Sequence, residues 1–199
     1  MKRGAEANIY ISNWYGRKSI SKIRAMKPYR HKSLDSEIRR RRTIHEARML
    51  SASKTAGVLT PFVYFVDPVR SEIVMEFVSG KNAKDVLNPS LATAMGKYAA
   101  LLHSKNIIHG DLATSNFVLG TNLVILDFGL SFYSERLEDR ASDIRLLKEI
   151  YGSAHFRVSD ILFKHFLTGY SDILGNAAVR KILEKVTEIE RRGRYARFS

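Results

Sequence analysis

Two aspartates and an asparagine stand close together near the middle of the chain, and these residue types handle metal ions and protons. Asp111 and Asn116 are separated by four residues, and Asp127 follows after a short apolar run. Carboxylate and amide oxygens are the hard ligands that Mg²⁺ takes in proteins, with further positions left for phosphate and water. A neighbouring carboxylate can accept the proton of an attacking hydroxyl or water. The set therefore predicts phosphoryl transfer from a nucleotide.

The order of these residues fits a catalytic-loop pattern. The pattern H-R-D-x-x-x-x-N is present from His109 to Asn116, with Gly110 in place of the arginine. Asp127 then begins Asp-Phe-Gly, which binds magnesium in the enzymes that carry this catalytic-loop pattern. Apolar runs on either side of residues 120–122 predict a hairpin between the two motifs. Each motif alone is often only a polar loop, but their order and spacing together favour a catalytic site.

A cation for the phosphates is expected upstream, on a strand before the first long helix. Lys22 fits this position, although Lys18 and Lys27 compete with it. A glutamate of the following helix is expected to pair with the lysine, and Glu46 and Glu37 are the candidates. Glu46 is preferred because it lies in the apolar half of the helix. Glu37 lies in the first turn, where the helix dipole already favours a carboxylate.

The elements that position these residues divide the chain into two parts, which indicates an α+β fold. The first part, residues 1–78, is predicted to hold strands over residues 7–26, a helix over residues 34–55 and two more strands. The second part, residues 79–199, is predicted to be mainly helical. A cleft is expected near residues 77–81, where the two parts join. The apolar side of the first helix is predicted to consist of Leu34, Ile38, Ala47 and Leu50.

The net charge of +13 is concentrated at the two ends of the chain. Residues 1–60 hold 15 Lys/Arg and 4 Asp/Glu, residues 61–190 hold 14 and 16, and residues 191–199 add four arginines. Such ends are either solvated surface or a contact for a polyanion, nucleic acid first. Cysteine is absent, which excludes disulfides and thiolate metal sites. Without an apolar run for a membrane helix or a secretory signal, we expect a cytoplasmic protein with no membrane partner.

Several stretches resemble one small atypical family of the protein kinase superfamily, the kinase/ATPase subunit of the KEOPS complex. Its eukaryotic form is known as p53-related protein kinase. The stretches are KRGAEA near the start, KPYRHKSLD, RRRRTIHEARML, IIHGDLATSN, ILDFGLSF, EDRASDI and RRGRYARF. The resemblance covers nearly the whole chain. It implies a minimal bilobal protein-kinase-like fold, with one helix in a β-rich first lobe and a reduced, mostly helical second lobe.

The sequence departs from ordinary protein kinases in ways that fit this family. Gly4, Ala5 and Glu6 stand where a glycine-rich loop is expected, and no Ala-Pro-Glu motif follows Asp-Phe-Gly. Gly110 replaces the arginine that reads a phosphorylated activation loop, so we expect no control of that kind. What remains is ATP and metal machinery without the platform that binds peptide substrates.

The resemblance implies ATP and Mg²⁺ as cofactors and a role for each candidate residue. Asp111 would be the catalytic base or would position the attacking water. Asn116 and Asp127 would hold Mg²⁺. Lys22 would contact the phosphates and pair with Glu46.

Further residues would bind the nucleotide or support the loop. The nucleotide-binding residues would be Lys22, Gly4, Ala5, Glu6, Met75, Glu76 and Val78. Adenine would bind at the hinge through backbone groups. Asp143, within EDRASDI, would brace the catalytic loop from a helix; an aspartate of the helix surface or N-terminus is the other interpretation.

The implied function is an ATP-dependent serine/threonine kinase or ATPase that supports threonylcarbamoyladenosine modification of tRNA. Its partners would be the tRNA-modifying threonylcarbamoyl transferase subunit and other KEOPS subunits. The basic ends would contact tRNA, and the best candidate patch is Arg191, Arg192, Arg194 and Arg197. Two alternatives stay open: a kinase-fold scaffold that binds ATP and partners without turnover, and a small-molecule or ribosome-assembly kinase of a neighbouring family. The complete catalytic set disfavours the scaffold, and KPYRH with RRGR disfavours the neighbouring family.

Overall fold

Two parts of different secondary structure follow one another in the computed structural model, which describes residues 2–3 and 6–195. The first part contains β1 (Lys2–Arg3), β2 (Ala7–Trp14), β3 (Arg17–Arg24), α1 (Lys32–Thr55), β4 (Val63–Asp67) and β5 (Glu72–Glu76). The second part contains β6 (Lys81–Asn82), α2 (Ala83–Val86), α3 (Pro89–Ser104), β7 (Ile107–Ile108), β8 (Phe117–Leu119), β9 (Leu123–Ile125), β10 (Phe132–Tyr133), α4 (Leu137–Ala154) and α5 (Ser159–Tyr195). The predicted α+β class, β-rich first and mainly helical second, is confirmed.

The first five strands form one antiparallel sheet in the order β1-β2-β3-β5-β4. The two-residue turn between β2 and β3 has Tyr15 and Gly16 at φ of 48° and 82°. Positive φ at both central residues suits the right-handed twist of a hairpin. Strand β3 lies in the centre of the sheet, between β2 and β5. Pairing on both sides fixes the orientation of the β3 side chains that point toward α1.

Helix α1 buries a side that is largely polar. Asp35, Thr43 and Glu46 are buried along with Met49 and Leu50. Leu34, predicted to belong to an apolar side, is instead 55% exposed. That part of the prediction was wrong because the helix turns charged and hydroxyl groups, rather than a continuous apolar stripe, toward the rest of the molecule.

The second part is built around a close crossing of α3 and α5. A Cβ on Gly96 would lie 2.0 Å from the carbonyl oxygen of Phe166, and one on Gly169 would lie 1.9 Å from that of Thr93. The crossing therefore requires a glycine on each helix, because any side chain at these two positions would keep the backbones apart. Helix α5 has a non-helical residue at Gly175, with φ of 81°.

Two small sheets hold the loops between the motifs. Strands β8 and β9 form the predicted hairpin and continue to β6, in the order β6-β8-β9. Strand β10 pairs with β7, just before the catalytic-loop pattern. Since β7 ends just before His109 and β10 begins just after Ser131, this pairing holds the two ends of the segment from His109 to Ser131 next to each other. No helix of the described part is long and apolar enough to cross a membrane.

Candidate active site

A buried ion pair joins the sheet to helix α1. Lys22 of β3 donates through Nζ to Oε1 of Glu46 at 2.6 Å, and the Glu46 side chain is 1% exposed. Glu37, the alternative partner, instead pairs with Arg40 and Arg41 on the helix surface. The structure therefore brings Lys22 together with Glu46 and leaves Glu37 away from the site.

The same lysine holds the aspartate of Asp-Phe-Gly. Oδ1 of Asp127 accepts from Lys22 Nζ at 2.8 Å and from the Gly129 N–H at 3.2 Å. Burial alone would lower the pKa of Lys22, but the Glu46 and Asp127 carboxylates together raise it above its ordinary value. Burial would raise the pKa of Asp127, yet Lys22 holds it below its ordinary value. Lys22 and Asp127 are therefore both charged at neutral pH.

The catalytic-loop aspartate and asparagine contact each other. Asn116 Nδ2 donates to the carbonyl oxygen of Asp111 at 2.8 Å and to Asp111 Oδ2 at 2.9 Å. This orientation leaves Oδ1 of Asn116, the atom with affinity for a hard cation, on the other side of the amide. In the same way, Lys22 occupies Oδ1 of Asp127 and leaves Oδ2 for another ligand.

These two oxygens fit Mg²⁺ in a nucleotide site. Asn116 and Asp127 line one cavity. No group of three or more His, Asp or Glu side chains gathers as a metal site within residues 2–3 and 6–195. Mg²⁺ commonly takes only one or two protein ligands and completes its octahedron with phosphate oxygens and waters. The donor set therefore suits a metal bound together with ATP better than a metal bound by the protein alone.

A buried aspartate of α4 anchors the catalytic loop. Asp143 is 3% exposed and accepts from the backbone N–H of His109 at 2.7 Å and of Gly110 at 2.9 Å. His103 of α3 lies 3.3 Å from the same carboxylate. These contacts agree with the bracing position expected of Asp143, and the alternative of a surface aspartate does not fit its burial.

Gly110 has a steric reason to be glycine. Its φ is 77°, which side chains rarely adopt, and a Cβ would lie 2.4 Å from the carbonyl oxygen of Leu130. The segment after Asp-Phe-Gly therefore packs directly on the catalytic loop, where another protein kinase has its arginine. His45 of α1 donates through Nε2 to the carbonyl oxygen of Ser131 at 2.6 Å, which ties this segment to the helix.

His109 is buried and supports the loop through hydrogen bonds. Its Nε2 lies 3.2 Å from the carbonyl oxygen of Leu126, and its Nδ1 accepts from the Asp111 N–H at 3.3 Å. Burial lowers the pKa of His109 below its ordinary value. The neutral ring, which can donate from one nitrogen and accept at the other, matches this pair of contacts.

A cavity of about 330 Å³ lies where the two parts of the chain meet. Its polar lining residues are Lys22, Glu46, Glu76, Asn82, Ser115, Asn116 and Asp127, and its apolar ones are Ile9, Ile20, Pro61, Met75, Phe77, Val78 and Leu126. A largely apolar cavity with a few charged and polar groups suits a nucleotide. The expected hinge residues Met75, Glu76 and Val78 all lie on its wall. Glu76 also accepts from the Phe62 N–H, at 3.0 Å.

Arg24 is a site residue that the motif analysis missed. Its Nη2 donates to Oε2 of Glu46 at 2.5 Å, and its side chain is only 5% exposed. Arg24 lies two residues after Lys22 on β3, and side chains at that spacing project from the same face of a strand. The spacing was therefore the available signal. Glu6 lines a neighbouring cavity with Arg24 rather than the larger one, and Gly4 and Ala5 lie outside the described residues.

The predicted basic tail is only partly described. Arg191 and Arg192 are exposed near the end of α5. Arg192 pairs with Glu138 of α4 at 3.0 Å and with Glu188 of its own helix. Two acidic neighbours already offset its charge, so it is a weaker polyanion contact than its sequence position suggests. The Arg194 side chain and all of Arg197 lie outside the described part of the chain.

Comparisons with known proteins place the chain among the protein kinases. The protein kinase domain family matches residues 14–177. A probable bifunctional tRNA threonylcarbamoyladenosine biosynthesis protein from Methanobrevibacter smithii is 43% identical over 194 residues, covering 97% of this chain but 36% of that protein. The KEOPS complex subunit Bud32 from Pyrococcus abyssi is 38% identical over 209 residues, covering 98% of this chain and 95% of that subunit.

Solved structures give the same fold. The Rio2 kinase–ADP/Mg²⁺–phosphoaspartate complex from Chaetomium thermophilum matches with a TM-score of 0.68 at 16% identity, covering 98% of this chain and 70% of that one. The Rio2 kinase structure from the same organism matches with a TM-score of 0.63. At this identity, the match is evidence for the fold alone.

Proposed function

Because the chain belongs to the Bud32 family within the protein kinases, we propose that it is an ATP-dependent serine/threonine kinase or ATPase that supports threonylcarbamoyladenosine modification of tRNA. The observation that carries the proposal is the convergence of Lys22 and Asp127, with Glu46 behind them and Asn116 beside them, on one nucleotide-sized cavity. Asp111, which is hydrogen-bonded to Asn116, supplies the carboxylate that accepts the proton.

The chemistry requires little covalent participation from the protein. ATP binds with its base between the apolar walls and its phosphates at Lys22, which Glu46 holds in place. Asp111 accepts a proton from water or a serine hydroxyl as that oxygen bonds to the γ-phosphorus. The bond from the γ-phosphorus to the β,γ-bridging oxygen breaks, and ADP leaves. Asn116 and Asp127 would hold Mg²⁺, whose contribution is to neutralise charge on the phosphate oxygens.

The buried contacts favour a site that is assembled without a phosphorylated activation loop. Glu46 is held by two cations, and His45 ties α1 to the segment after Asp-Phe-Gly. Gly110 packs against the carbonyl oxygen of Leu130 where the regulatory arginine of other kinases would stand. Helix α1 is therefore in its pairing position in the resting protein. The position of α1 supports ATP turnover that does not depend on phosphorylation of this chain, with its rate controlled by partner proteins instead.

The names of the relatives support the choice of partners. The chain spans 36% of the length of a bifunctional threonylcarbamoyladenosine biosynthesis protein and nearly all of a KEOPS subunit. We therefore propose that it acts with a threonylcarbamoyl transferase and other KEOPS subunits. We also propose that the basic ends contact tRNA phosphates, a contact that would weaken steeply as salt rises. Residues 1–60, with 15 Lys/Arg and 4 Asp/Glu, carry most of the excess charge.

The proposal is tested by ATP turnover of the chain alone, with the tRNA-modifying partner, and with the partner and tRNA. Label retained on protein reports kinase activity, and free phosphate reports ATPase activity. We expect Mg²⁺-dependent turnover that is lost in Asp111→Ala and in Asp127→Ala, both checked for folding by circular dichroism. Turnover that survives both substitutions would remove the assigned site. ATP binding with no turnover in any arm would favour the scaffold alternative instead.

A further inference from the structure

A buried polar cluster outside the nucleotide cavity joins three helices of the second part of the chain. The hydroxyl oxygen of Tyr170, on α5, lies 2.9 Å from Nδ1 of His103 on α3, and Nε2 of the same ring lies 3.3 Å from Oδ2 of Asp143 on α4. All three side chains are at most 3% exposed. Neither Tyr170 nor His103 is a wall of the nucleotide cavity. The contacts therefore lead from α5 to the carboxylate that anchors the catalytic loop.

The close crossing of α3 and α5 brings these side chains together. A Cβ on Gly96 would lie 2.0 Å from the carbonyl oxygen of Phe166 and 3.0 Å from the backbone nitrogen of Tyr170. His103 follows Gly96 by seven residues, about two helical turns, and so lies on the same side of α3. The rings of His103 and Tyr170 meet edge to face, with centroids 5.7 Å apart. Contact between the two backbones thus places the Tyr170 hydroxyl within reach of His103.

The other contacts of Asp143 determine which nitrogen of His103 carries the proton. One Asp143 oxygen accepts from the His109 N–H and the other from the Gly110 N–H. Because both oxygens act as acceptors, Nε2 of His103 must donate. In the neutral ring Nδ1 then has only a lone pair, and it accepts from the Tyr170 hydroxyl. Burial raises the pKa of Tyr170 above its ordinary value, so the hydroxyl keeps the proton that it donates.

We propose that Tyr170 is a positioning residue for phosphoryl transfer, which acts through His103 and Asp143 on the catalytic loop. By donating to Nδ1, the tyrosine selects the ring form that donates from Nε2 to the Asp143 carboxylate. This third donor orients the carboxylate, whose oxygens hold two backbone N–H groups of the loop. Asp111, the proposed proton acceptor, follows directly after these groups. The effect on turnover rests on the proposed ATP chemistry, whereas the ring form and the loop contacts do not.

Removal of the hydroxyl leaves the buried ring with two unfavourable states. In Tyr170→Phe, either Nδ1 of His103 keeps an unpaired lone pair, or the proton moves to Nδ1. The second state places the lone pair of Nε2 against the Asp143 carboxylate, which then loses one of its donors. Since a buried polar atom without a partner costs about as much as a lost hydrogen bond, we expect kcat to fall about three- to tenfold. The KM for ATP should stay unchanged, because the Lys22 end of the site takes no part in these contacts.

The first measurement requires no turnover. Nitrogen-15 NMR of the full chain should show the His103 ring protonated at Nε2 and not at Nδ1. Tyr170→Phe should shift the population toward the Nδ1–H form and speed hydrogen exchange of the two loop amides that bond Asp143 about three- to tenfold. Tyr151→Phe is the matched control, because Tyr151 is also fully buried but its hydroxyl contacts the sulfur of Met95, at 3.8 Å. The control should leave the ring form and both amides as in the wild type.

The second measurement separates positioning from stability. The kcat and the KM for ATP are determined for wild type, Tyr170→Phe and Tyr151→Phe, well below the melting temperature of each. A merely structural role lowers the melting temperature and leaves the kcat of the folded protein unchanged. His103→Gln supplies a conservative background, since a glutamine amide donates to Asp143 without a choice between ring nitrogens. In that background, Tyr170→Phe should leave kcat unchanged.

Several results would overturn the assignment. They are a proton on Nδ1 or on both nitrogens of wild-type His103, equal changes in amide exchange from Tyr170→Phe and Tyr151→Phe, and an unaltered kcat in Tyr170→Phe. An equal loss of kcat with and without His103→Gln would show that the tyrosine does not act through the histidine. A wild-type chain without turnover would remove the proposed ATP chemistry instead, and the NMR and exchange measurements would still decide whether Tyr170 holds the loop.

Discussion

Glu46 is expected to matter more for stability than either cation that it binds. Its two carboxylate oxygens contact Lys22 and Arg24, and all three side chains are at least nine-tenths buried. Glu46→Gln keeps the shape of the side chain and removes its charge. Lys22 then retains Asp127 at 2.8 Å, but the next carboxylate from Arg24, that of Glu6, is 3.9 Å away. The cost should therefore arise mainly at Arg24.

The expected loss follows from this uncompensated charge. Removing one partner of a buried ion pair costs about 3–5 kcal/mol. At roughly 2–4 °C per kcal/mol for a chain of this size, the melting temperature should fall by roughly 6–20 °C. Arg24→Met should cost less, at most about 3 kcal/mol, because Glu46 keeps its bond to Lys22. In the double variant, Glu46→Gln should cost about 1.5–3 kcal/mol less than it does alone.

The assay is urea unfolding of the wild type, both single variants and the double variant, with m-values compared to check that unfolding stays two-state. Glu37→Gln serves as the control, since it removes a carboxylate of the same helix whose arginine partners lie at the surface. Its free energy of unfolding should match that of the wild type. The reasoning would be refuted by strict additivity of the two buried changes, or by an Arg24→Met variant less stable than Glu46→Gln.

Three further predictions concern the backbone and pH. Gly110→Ala should lower the free energy of unfolding by about 1–3 kcal/mol, because φ is 77° and the new Cβ would meet Leu130 O at 2.4 Å; a urea midpoint equal to that of the wild type would contradict this. Gly96→Ala should separate α3 from α5 and lower the melting temperature, since its Cβ would lie 2.0 Å from the Phe166 carbonyl oxygen; an unchanged thermal transition would count against the crossing. Buried His109 has a lowered pKa, so the unfolded chain binds its proton first, and stability should fall as pH drops below about 6.5; urea titrations at pH 7.5 and 5.5 should show a smaller difference in His109→Asn than in the wild type.

The parts of the site that sequence could predict are those carried by short motifs. Asp111, Asn116 and Asp127 come from loops whose geometry is set within a few residues, and their spacing is visible in the chain. Glu46 could be preferred over Glu37 because Glu46 lies in the apolar half of the helix, whereas Glu37 lies nearer its start. In each case, the deciding information is local.

The parts that sequence could not predict depend on contacts between distant elements. The two-residue spacing from Lys22 indicates only the face of β3 on which Arg24 lies, and it does not identify Glu46 as the partner of Arg24. Nothing in the sequence links His45 to the Ser131 carbonyl oxygen. Apolar periodicity placed Leu50 correctly on the buried side of α1 but misplaced Leu34, because the helix also buries the polar Asp35 and Glu46. A helix that lines a charged site buries polar groups, and the partners of those groups come from other elements. Only the folded structure shows these pairs.

The central claim is that Asp111 performs the proton transfer while Asp127 holds the metal, in one ATP site. The most direct test is single-turnover ATP cleavage by the wild type, Asp111→Asn and Asp127→Asn, with ATP affinity measured on the same samples with and without Mg²⁺. Asp111→Asn should bind ATP and Mg²⁺ as the wild type does and lose cleavage by at least about a hundredfold. Asp127→Asn should lose the Mg²⁺-dependent part of ATP binding. Wild-type cleavage by Asp111→Asn, or Mg²⁺-dependent binding unchanged in Asp127→Asn, would contradict the account.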